Sequence, residues 1–563
     1  MLTPVQLVWV IFFTIILLSI FAFLRNGDHI LFKSHYKSLI LIIAISIVST
    51  LPFDLNFFYG LEYEDAYIFT GYSRFLIYNN YFSFDPFQAK GCLFGSLKYC
   101  ELVGTYGGHF LGLSSLGYFF NKYFGYSPLI ICFINFFASL ISACLIYCIS
   151  YLLIKDKKIG IICSLIYSLS PAMSLFHTSG LAETLSSTSV IFTLFLFLLL
   201  FEKQKNLNRT NEAILWLLLL LSFSFCLLQK RENLILLFLP LISLVRILID
   251  HKYNNYMIIR ITIFMIWGVV ILTIFHYGIN VFDIERQESQ EIAKTTFSLK
   301  YFISLAPVFI KSFLTFRWFF VFSVFTFAGL ILILIKIKQH PLYVYPIILL
   351  AAYLLAYTLH YRSYYFVKYG QVNEFESLRY ITNFFPFYCL IGGYAIVKVL
   401  KPLKDKFKLP KYYLAGLSIL VIGYLIYANV MLKKEYFLIE QENRIAAVKE
   451  TIRLVDPKGN IIITDVPLIF QVLGKETLQI INFSSIGKSI NISDIKNKLD
   501  KSQNIYYLKR LTENNAYQYE RYPAAMKYIN SLKLVRVKEF QGDRFVLYKI
   551  CHHRRETRPK SSE

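Results

Sequence analysis

A short acidic segment near the start of the chain contains residue types suited to proton transfer. Glu62, Glu64 and Asp65 lie within about ten residues of the end of an apolar run, so the segment is expected close to a membrane surface. Aromatic and apolar residues beginning with Tyr67 then recur at helical spacing, which predicts a helix in the interface. A carboxylate placed there could act as a general base toward an acceptor hydroxyl. The same acids could instead form the favourable negative first turn of a surface helix.

Three basic residues are placed where they could hold an anionic group near the same surface. Lys230 and Arg231 lie in a short turn between two apolar runs, on the side of the membrane where basic residues are otherwise scarce. Arg379, which Tyr380 follows, precedes a later apolar run. Guanidinium groups suit a phosphate because each can donate two parallel hydrogen bonds. The alternative is that these long side chains extend to the interface to keep their charges in water.

The elements that position these residues must be membrane spans, because the composition fits no other class. Of the 563 residues, 56% are hydrophobic and 17% are charged, and the mean hydropathy is +0.52. Soluble globular proteins carry about 25% charged residues, so a water-soluble enzyme and a disordered chain are both excluded. The net charge of +23 fits basic cytoplasmic loops, and no nucleic-acid partner is expected.

About twelve apolar runs follow one another along residues 1–432, each close to the length that a bilayer requires. They lie at roughly 5–24, 38–53, 127–153, 159–176, 184–201, 213–228, 234–249, 257–277, 317–336, 342–359, 380–399 and 412–432. Loops rich in Lys and Arg alternate with loops poor in them, and the basic set is assigned to the cytoplasm. Both termini and the long loop 54–126 are then extracytoplasmic. We therefore predict a multi-pass, polytopic α-helical protein of a cell membrane.

From residue 433 onward the composition becomes that of a water-soluble domain. β-Branched runs predict strands at 460–465, 478–482, 504–508, 532–540 and 544–550. Helical patterns near 438–455, 492–500 and 522–531 lie around and between them, as in an α/β domain. We expect an extracytoplasmic α/β domain over 433–550 and a disordered tail over 551–563.

In the order of its motifs the sequence resembles the GT-C glycosyltransferases, membrane enzymes that use polyprenyl-phosphate sugars. Protein O-mannosyltransferases and the aminoarabinose transferases that modify lipid A are examples. The motifs lie at 64–68 (Glu-Asp-Ala-Tyr-Ile), 72–74, 84–86, 104–115, 121–125, 169–171, 180–185, 230–234 and 376–380. Their order and their side of the membrane agree with the family over most of residues 54–400.

The resemblance implies transfer of a sugar from a polyprenyl-phosphate donor to an acceptor hydroxyl on the extracytoplasmic side. Glu64 or Asp65 would be the catalytic base; the family commonly has Asp first, so the order found here leaves the choice open. Glu183 would be a second catalytic acid, directed toward the acceptor or the base. Its alternative role is a favourable charge at a helix N-terminus.

The resemblance also implies binding roles. The residues implied for the donor phosphate are Lys230, Arg231, Arg379 and Tyr380, with the two arginines favoured over Lys230. Those implied for the acceptor or the sugar are Tyr67, Tyr106 and His109. A lone histidine is more often structural, but His109 could bind a metal, so a divalent metal stays open and no cofactor is certain. The expected partners are the lipid donor, the lipid bilayer, and a lipid, glycan or protein acceptor.

Two other functions stay open at this point. A lipid-linked oligosaccharide flippase or other transporter should carry ionisable residues within its spans and repeats between its halves, and the sequence shows neither pattern. A polysaccharide polymerase would also use lipid-linked sugars and large outside loops. Oligosaccharide transfer to asparagine is disfavoured because the family's tandem-tryptophan motif is absent: Trp9, Trp216, Trp267 and Trp318 are all isolated.

Overall fold

The computed structural model describes fourteen stretches of the chain and a few single positions. The stretches are 4–26, 35–50, 111–202, 209–249, 255–273, 298–359, 379–407, 410–433, 439–455, 460–464, 479–483, 504–510, 523–540 and 545–551. They divide into two compact units. One unit holds the described residues up to Lys433, apart from Thr70, Ser73 and 121–128; the other holds these and everything from Ile439.

The first unit is helical, as expected for backbone that must satisfy its own polar groups in hydrocarbon. Its first helices are α1 (Pro4–Asn26), α2 (Tyr36–Thr50), α3 (Leu111–Phe124), α4 (Ile130–Ile154), α5 (Lys157–Leu169), α6 (Pro171–His177), α7 (Glu183–Glu202) and α8 (Arg209–Gln229). A 3₁₀ helix (Arg231–Leu237) leads into α9 (Phe238–Ile249), α10 (Asn255–Thr273), α11 (Leu299–Leu314), α12 (Phe316–Phe319) and α13 (Phe322–Ile335). A second 3₁₀ helix (Pro341–Tyr343) precedes α14 (Val344–Leu359), α15 (Phe385–Phe407) and α16 (Lys411–Lys433).

Several of these helices are able to cross a membrane. Among the described residues, those at Ile130–Ile154, Glu183–Phe201, Thr210–Gln229 and Pro341–Leu359 are long and apolar enough, and the pair α5 and α6 adds a fifth if it is one span. Shorter apolar helices include Gln6–Ala22, Tyr36–Thr50, Ile258–Ile271, Phe322–Ile335 and Gly416–Leu432. The multi-pass membrane character is therefore confirmed, whereas the number of about twelve spans stays a prediction.

One predicted run is a broken helix. The run at 159–176 forms α5 and α6, which meet at 69°. Ser170 between them is extended (φ −64°, ψ 121°), and Pro171 opens α6. Proline cannot donate a backbone hydrogen bond and disfavours a helical residue before it, so the turn occurs at this point.

Small residues allow α15 to pack closely against two neighbours. A Cβ added at Gly329 of α13 would lie 2.4 Å from the backbone oxygen of Ile391. One added at Gly393 would lie 2.4 Å from Sγ of Cys163 in α5. In a membrane the hydrophobic effect does not drive helices together, because lipid tails are as apolar as the side chains. Helices there associate through close packing at small residues such as these. The crossings fix α15, and the segment just ahead of this helix carries part of the site described below.

The second unit contains a mixed five-stranded sheet. After α17 (Ile439–Leu454) come β1 (Ile461–Thr464), β2 (Gln479–Asn482), β3 (Ile505–Arg510), α18 (Pro523–Asn530), β4 (Lys533–Glu539) and β5 (Phe545–Cys551). The strand order is β2-β1-β3-β5-β4; β1 pairs in parallel with β2 and β3, and β5 pairs antiparallel with β3 and β4. Side chains of β1, β2, β3 and α18 form one buried core.

The sheet agrees with the strands that the sequence predicts. All five lie at the expected positions, and so do the helical patterns near 438–455 and 522–531. The pattern near 492–500 lies outside the described residues. Cys551, expected to begin the disordered tail, is the last residue of β5, where it pairs with Lys533.

Candidate functional site

Glu183 is the first residue of α7, and its side chain is fully buried. The loop before it is held from α4, where Nδ2 of Asn135 donates to the carbonyl oxygens of Ser179 (2.7 Å) and Leu181 (2.6 Å). Thr184 Oγ1 donates over 2.8 Å to a carbonyl in the last turn of α6. Three carbonyls before α7 thus accept hydrogen bonds inside an apolar bundle, and these bonds help to hold the start of α7 in place.

Two cations meet at one oxygen of this carboxylate. Nζ of Lys230 lies 3.0 Å from Oε1 of Glu183, and Nε of Arg379 lies 2.5 Å from the same atom. The lysine and arginine side chains are 11% and 16% exposed. Two cations thus share one carboxylate oxygen in a nearly dry environment. Such a cluster favours the approach of an anion.

Lys230 is held by the turn that follows it. It lies between the end of α8 and the 3₁₀ helix, in which Asn233 donates from Nδ2 to Ser186 Oγ (3.0 Å) and to the carbonyl of Cys226 (2.8 Å). Oδ1 of Asn233 accepts from the hydroxyl of Tyr353 over 2.9 Å. One amide therefore joins α7, α8 and α14 to the turn. Such fully satisfied buried networks favour a single arrangement.

Arg379 and Tyr380 lie just ahead of α15. The Tyr380 ring is 5.1 Å from the ring of Tyr357, measured between centroids. Nδ2 of Asn383 donates to the Tyr357 hydroxyl over 2.5 Å. These contacts attach the start of α15 to α14, and with it the segment that carries the arginine.

The structure thus brings together three of the site residues that the sequence predicts, namely Glu183, Lys230 and Arg379, with Tyr380 adjacent. Lys230, which sequence reasoning ranked below Arg231, makes the contact with Glu183. Arg231 is placed by its backbone as the first residue of the 3₁₀ helix. The other predicted site residues lie outside the described residues: Glu64, Asp65, Tyr67, Tyr106 and His109.

Sequence reasoning missed the residues that support the cluster. Asn135 and Asn233 are both fully buried. Asn135 is an amide within a strongly apolar stretch, which was an available signal because a buried polar group must find partners, whereas Asn233 follows three charged residues and did not stand out. The hydrogen-bond partners of both amides depend on how the helices pack, which the spacing of residues in the sequence does not show.

No metal site is found in the described stretches: nowhere in them do three or more His, Cys, Asp or Glu side chains come together. His109, the residue considered for metal binding, is not among them.

Comparison with family models and with curated proteins gave no match. Solved structures do match. ArnT from Cupriavidus metallidurans bound to undecaprenyl phosphate has a TM-score of 0.57 at 12% identity, covering 91% of this chain and 97% of that one. Its apo state has a TM-score of 0.56 at 12% identity, with coverages of 92% and 98%. The oligosaccharyltransferase of Archaeoglobus fulgidus tethered with an acceptor peptide has a TM-score of 0.52 at 12% identity, covering 93% and 75%.

These matches define a class of fold. The neighbours are GT-C glycosyltransferases, so the GT-C fold that the motifs of this sequence indicate is confirmed. At 12% identity the likeness extends to the fold alone, and the site must be argued from this chain's own residues.

Proposed function

We propose that this protein is an integral-membrane glycosyltransferase that moves a sugar from a polyprenyl-phosphate donor to an acceptor hydroxyl on the extracytoplasmic side. The observation that carries the proposal is the buried cluster in which Lys230 and Arg379 share one carboxylate oxygen of Glu183. A phosphate at the end of an apolar lipid is the ligand that such a cluster inside a membrane bundle fits. The undecaprenyl phosphate named with the ArnT structure supports the same ligand class.

The cations would act on the leaving group. As the bond between the sugar C1 and the phosphate oxygen breaks, its electron pair stays with the phosphate, which gains negative charge. Hydrogen-bond donors held near that charge lower the barrier, and removing one typically costs about 10²–10³-fold in turnover. Lys230 and Arg379 would stabilise this charge, with Arg231 and Tyr380 as further phosphate contacts.

The proton of the acceptor hydroxyl would go to a residue other than these cations. As the acceptor oxygen bonds to C1, its proton passes to a carboxylate, for which we propose Glu64 or Asp65. Glu183 is less suited to accept a proton, because two cations at Oε1 stabilise its charged form. We therefore propose that Glu183 positions Lys230 and Arg379.

The remaining assignments complete the proposal. Tyr67, Tyr106 and His109 would contact the sugar or the acceptor, which is a lipid, a glycan or a protein. Both termini and the domain 433–550 would be extracytoplasmic. A membrane-impermeant thiol reagent on intact cells tests this arrangement: it should label Val537→Cys and spare Lys338→Cys. Reversed labelling would contradict the topology and the side of the reaction.

The decisive experiment uses purified full-length protein and undecaprenyl phosphate carrying glucose, mannose, galactose, arabinose or N-acetylglucosamine. A transferase releases undecaprenyl phosphate when a membrane extract supplies acceptor, and Lys230→Met with Arg379→Ala should abolish the release. A flippase would instead move the intact donor from one leaflet to the other in proteoliposomes. A polymerase would give products of increasing length. Either result would replace the proposed reaction.

A further inference from the structure

Gln229 has an unusual environment for a polar residue. It is the last residue of α8, directly before Lys230, and it is 1% exposed. Within the described part of the chain, neither Oε1 nor Nε2 of its amide has a hydrogen-bond partner. A buried polar group without partners destabilises a folded protein, and one kept in this state requires an explanation.

The position of this amide is fixed by a glycine. A Cβ added at Gly112 of α3 would lie 2.0 Å from Nε2, 2.4 Å from Cδ and 2.6 Å from Oε1 of Gln229. Any side chain at Gly112 would therefore displace the whole amide. The bare backbone of α3 lets the amide lie where it does, next to the residue that contacts Glu183.

A second unpartnered acceptor belongs to the carboxylate that Lys230 contacts. Oε2 of Glu183 is buried and has no hydrogen-bond partner among the described residues, while Oε1 receives both cations. Lys230 connects the two features, since it follows Gln229 in the chain and reaches Glu183 through space. Gln229 and Glu183, each linked to Lys230, thus have one unused donor group and two unused acceptors between them.

This combination distinguishes between ligand groups. A phosphate ester without a proton only accepts hydrogen bonds, so it could satisfy Nε2 of Gln229 but neither acceptor oxygen. A hydroxyl both donates and accepts. Neighbouring hydroxyls on a sugar ring could satisfy Nε2 and Oε1 together.

We propose that Gln229 recognises hydroxyl groups of the transferred sugar, beside the phosphate that Lys230 binds. The inference rests on the proposed function and adds a residue that selects the sugar part of the donor. Gly112 acts through Gln229, as a positioning residue.

The test compares Gln229→Met with a matched control. Methionine keeps the length and the burial but removes the amide. Asn429→Leu is the control, because Asn429 is also fully buried and both its amide atoms lack partners within the described stretches. Full-length variants are assayed for thermal unfolding and for binding of undecaprenyl phosphate, bare and carrying each of the five sugars above.

We expect neither substitution to lower the melting temperature, because each removes an unsatisfied amide. Gln229→Met should weaken the best-bound sugar donor by about tenfold or more, since sites built to hydrogen-bond a hydroxyl discriminate strongly. Its affinity for bare undecaprenyl phosphate should stay within about twofold of wild type. Gly112→Ala should show the same pattern, and Asn429→Leu should change neither affinity.

Three results would overturn the inference. Equal weakening of bare and sugar-bearing lipid would make Gln229 a phosphate or structural contact. No weakening of either would mean that ordered water satisfies the amide. A wild type that binds every sugar donor no differently from bare undecaprenyl phosphate would remove sugar recognition and leave the proposed phosphate site intact. Failure of the proposed function is distinct, because wild type would then bind none of these lipids.

Discussion

Arg379 donates through Nε to Oε1 of Glu183 over 2.5 Å, although 196 residues separate them in the chain. Lys230 reaches the same oxygen from a third segment. One buried carboxylate oxygen therefore links the start of α7, the end of α8 and the approach to α15. Removing the carboxylate would leave two cations close together with no anion between them.

Glu183→Gln should lower stability and strengthen the stabilising effect of a phosphate ligand. Breaking a buried ion pair from one side costs about 3–5 kcal/mol, because the remaining charge is uncompensated. Bare undecaprenyl phosphate supplies an anion, so it should raise the melting temperature of Glu183→Gln more than that of wild type. Thermal unfolding with and without the lipid measures both effects.

The control for this prediction is Glu212→Gln. Glu212 of α8 pairs with the buried Arg260 of α10, outside the cluster. The Glu212→Gln variant should lose stability, and the lipid should raise its melting temperature no more than it raises that of wild type. Equal rescue in both variants would show that the lipid acts generally and not at Glu183.

Both cations should be needed for turnover, and lysine should replace Arg379 only in part. Arg379→Lys keeps the charge but loses the planar group that binds carboxylate and phosphate, so it should retain part of the donor affinity. Arg379→Ala and Lys230→Met remove a charge and should cost about 10²-fold or more in turnover. Donor binding and single-turnover release of lipid phosphate are the measurements, with the exposed Lys338→Met as control. Unchanged turnover in both charge-removing variants would contradict the assignment of the phosphate site.

The acids before the aromatic helix should control turnover and not donor binding. Asp65→Asn and Glu64→Gln keep size while removing charge, and loss of a general base costs about 10²–10⁴-fold. The matched control is Glu62→Gln in the same segment. If these acids only cap a helix, each change should cost about 0.5–2 kcal/mol of stability, with turnover per folded molecule unchanged. Sugar transfer normalised to folded, donor-bound protein separates the two results.

Asn135→Ala should loosen the loop that presents Glu183. Two carbonyls lose their donor, which costs about 1–3 kcal/mol and shifts the carboxylate relative to its cations. We expect a lower melting temperature together with weaker binding of undecaprenyl phosphate. Ser139→Ala is the control one turn further along α4, because among the described residues that hydroxyl bonds only to the Phe136 carbonyl of its own helix. A stability loss without any change in lipid binding would limit Asn135 to a structural role.

The strands and most of the helices could be predicted from hydrophobic periodicity. β-Branched runs in the second unit mark β1 to β5, and the apolar runs mark most helices of the first, whereas α3 and α11 fall outside the predicted runs. The break at Ser170 was missed although Pro171 was visible, because length and hydropathy favour one continuous span over 159–176. The direction of the bend between α5 and α6 depends on how α6 packs, which is a tertiary property.

The charged members of the site could be predicted one at a time, since Glu183, Lys230 and Arg379 stand out against apolar surroundings. Their meeting at a single oxygen could not, because it depends on the crossings of α15 at Gly329 and Gly393. Gln229 carried no signal in sequence. A glutamine at the end of a span is ordinary until Gly112 is found beneath it.

The shared oxygen of Glu183 has a consequence for ligand entry. Since Lys230 and Arg379 already have an anionic partner, an arriving phosphate engages them by exchange and not by filling a bare positive site. Its observed affinity would reflect the difference between two ion-pairing free energies, and would therefore be lower than for cations without a resident partner. Weakly basic anions such as chloride would compete poorly with the resident carboxylate, whereas a phosphate gaining a second charge as the sugar departs would compete best. Because the phosphate competes best with Glu183 once it gains a second charge, the ion pair would favour the transition state over the resting donor.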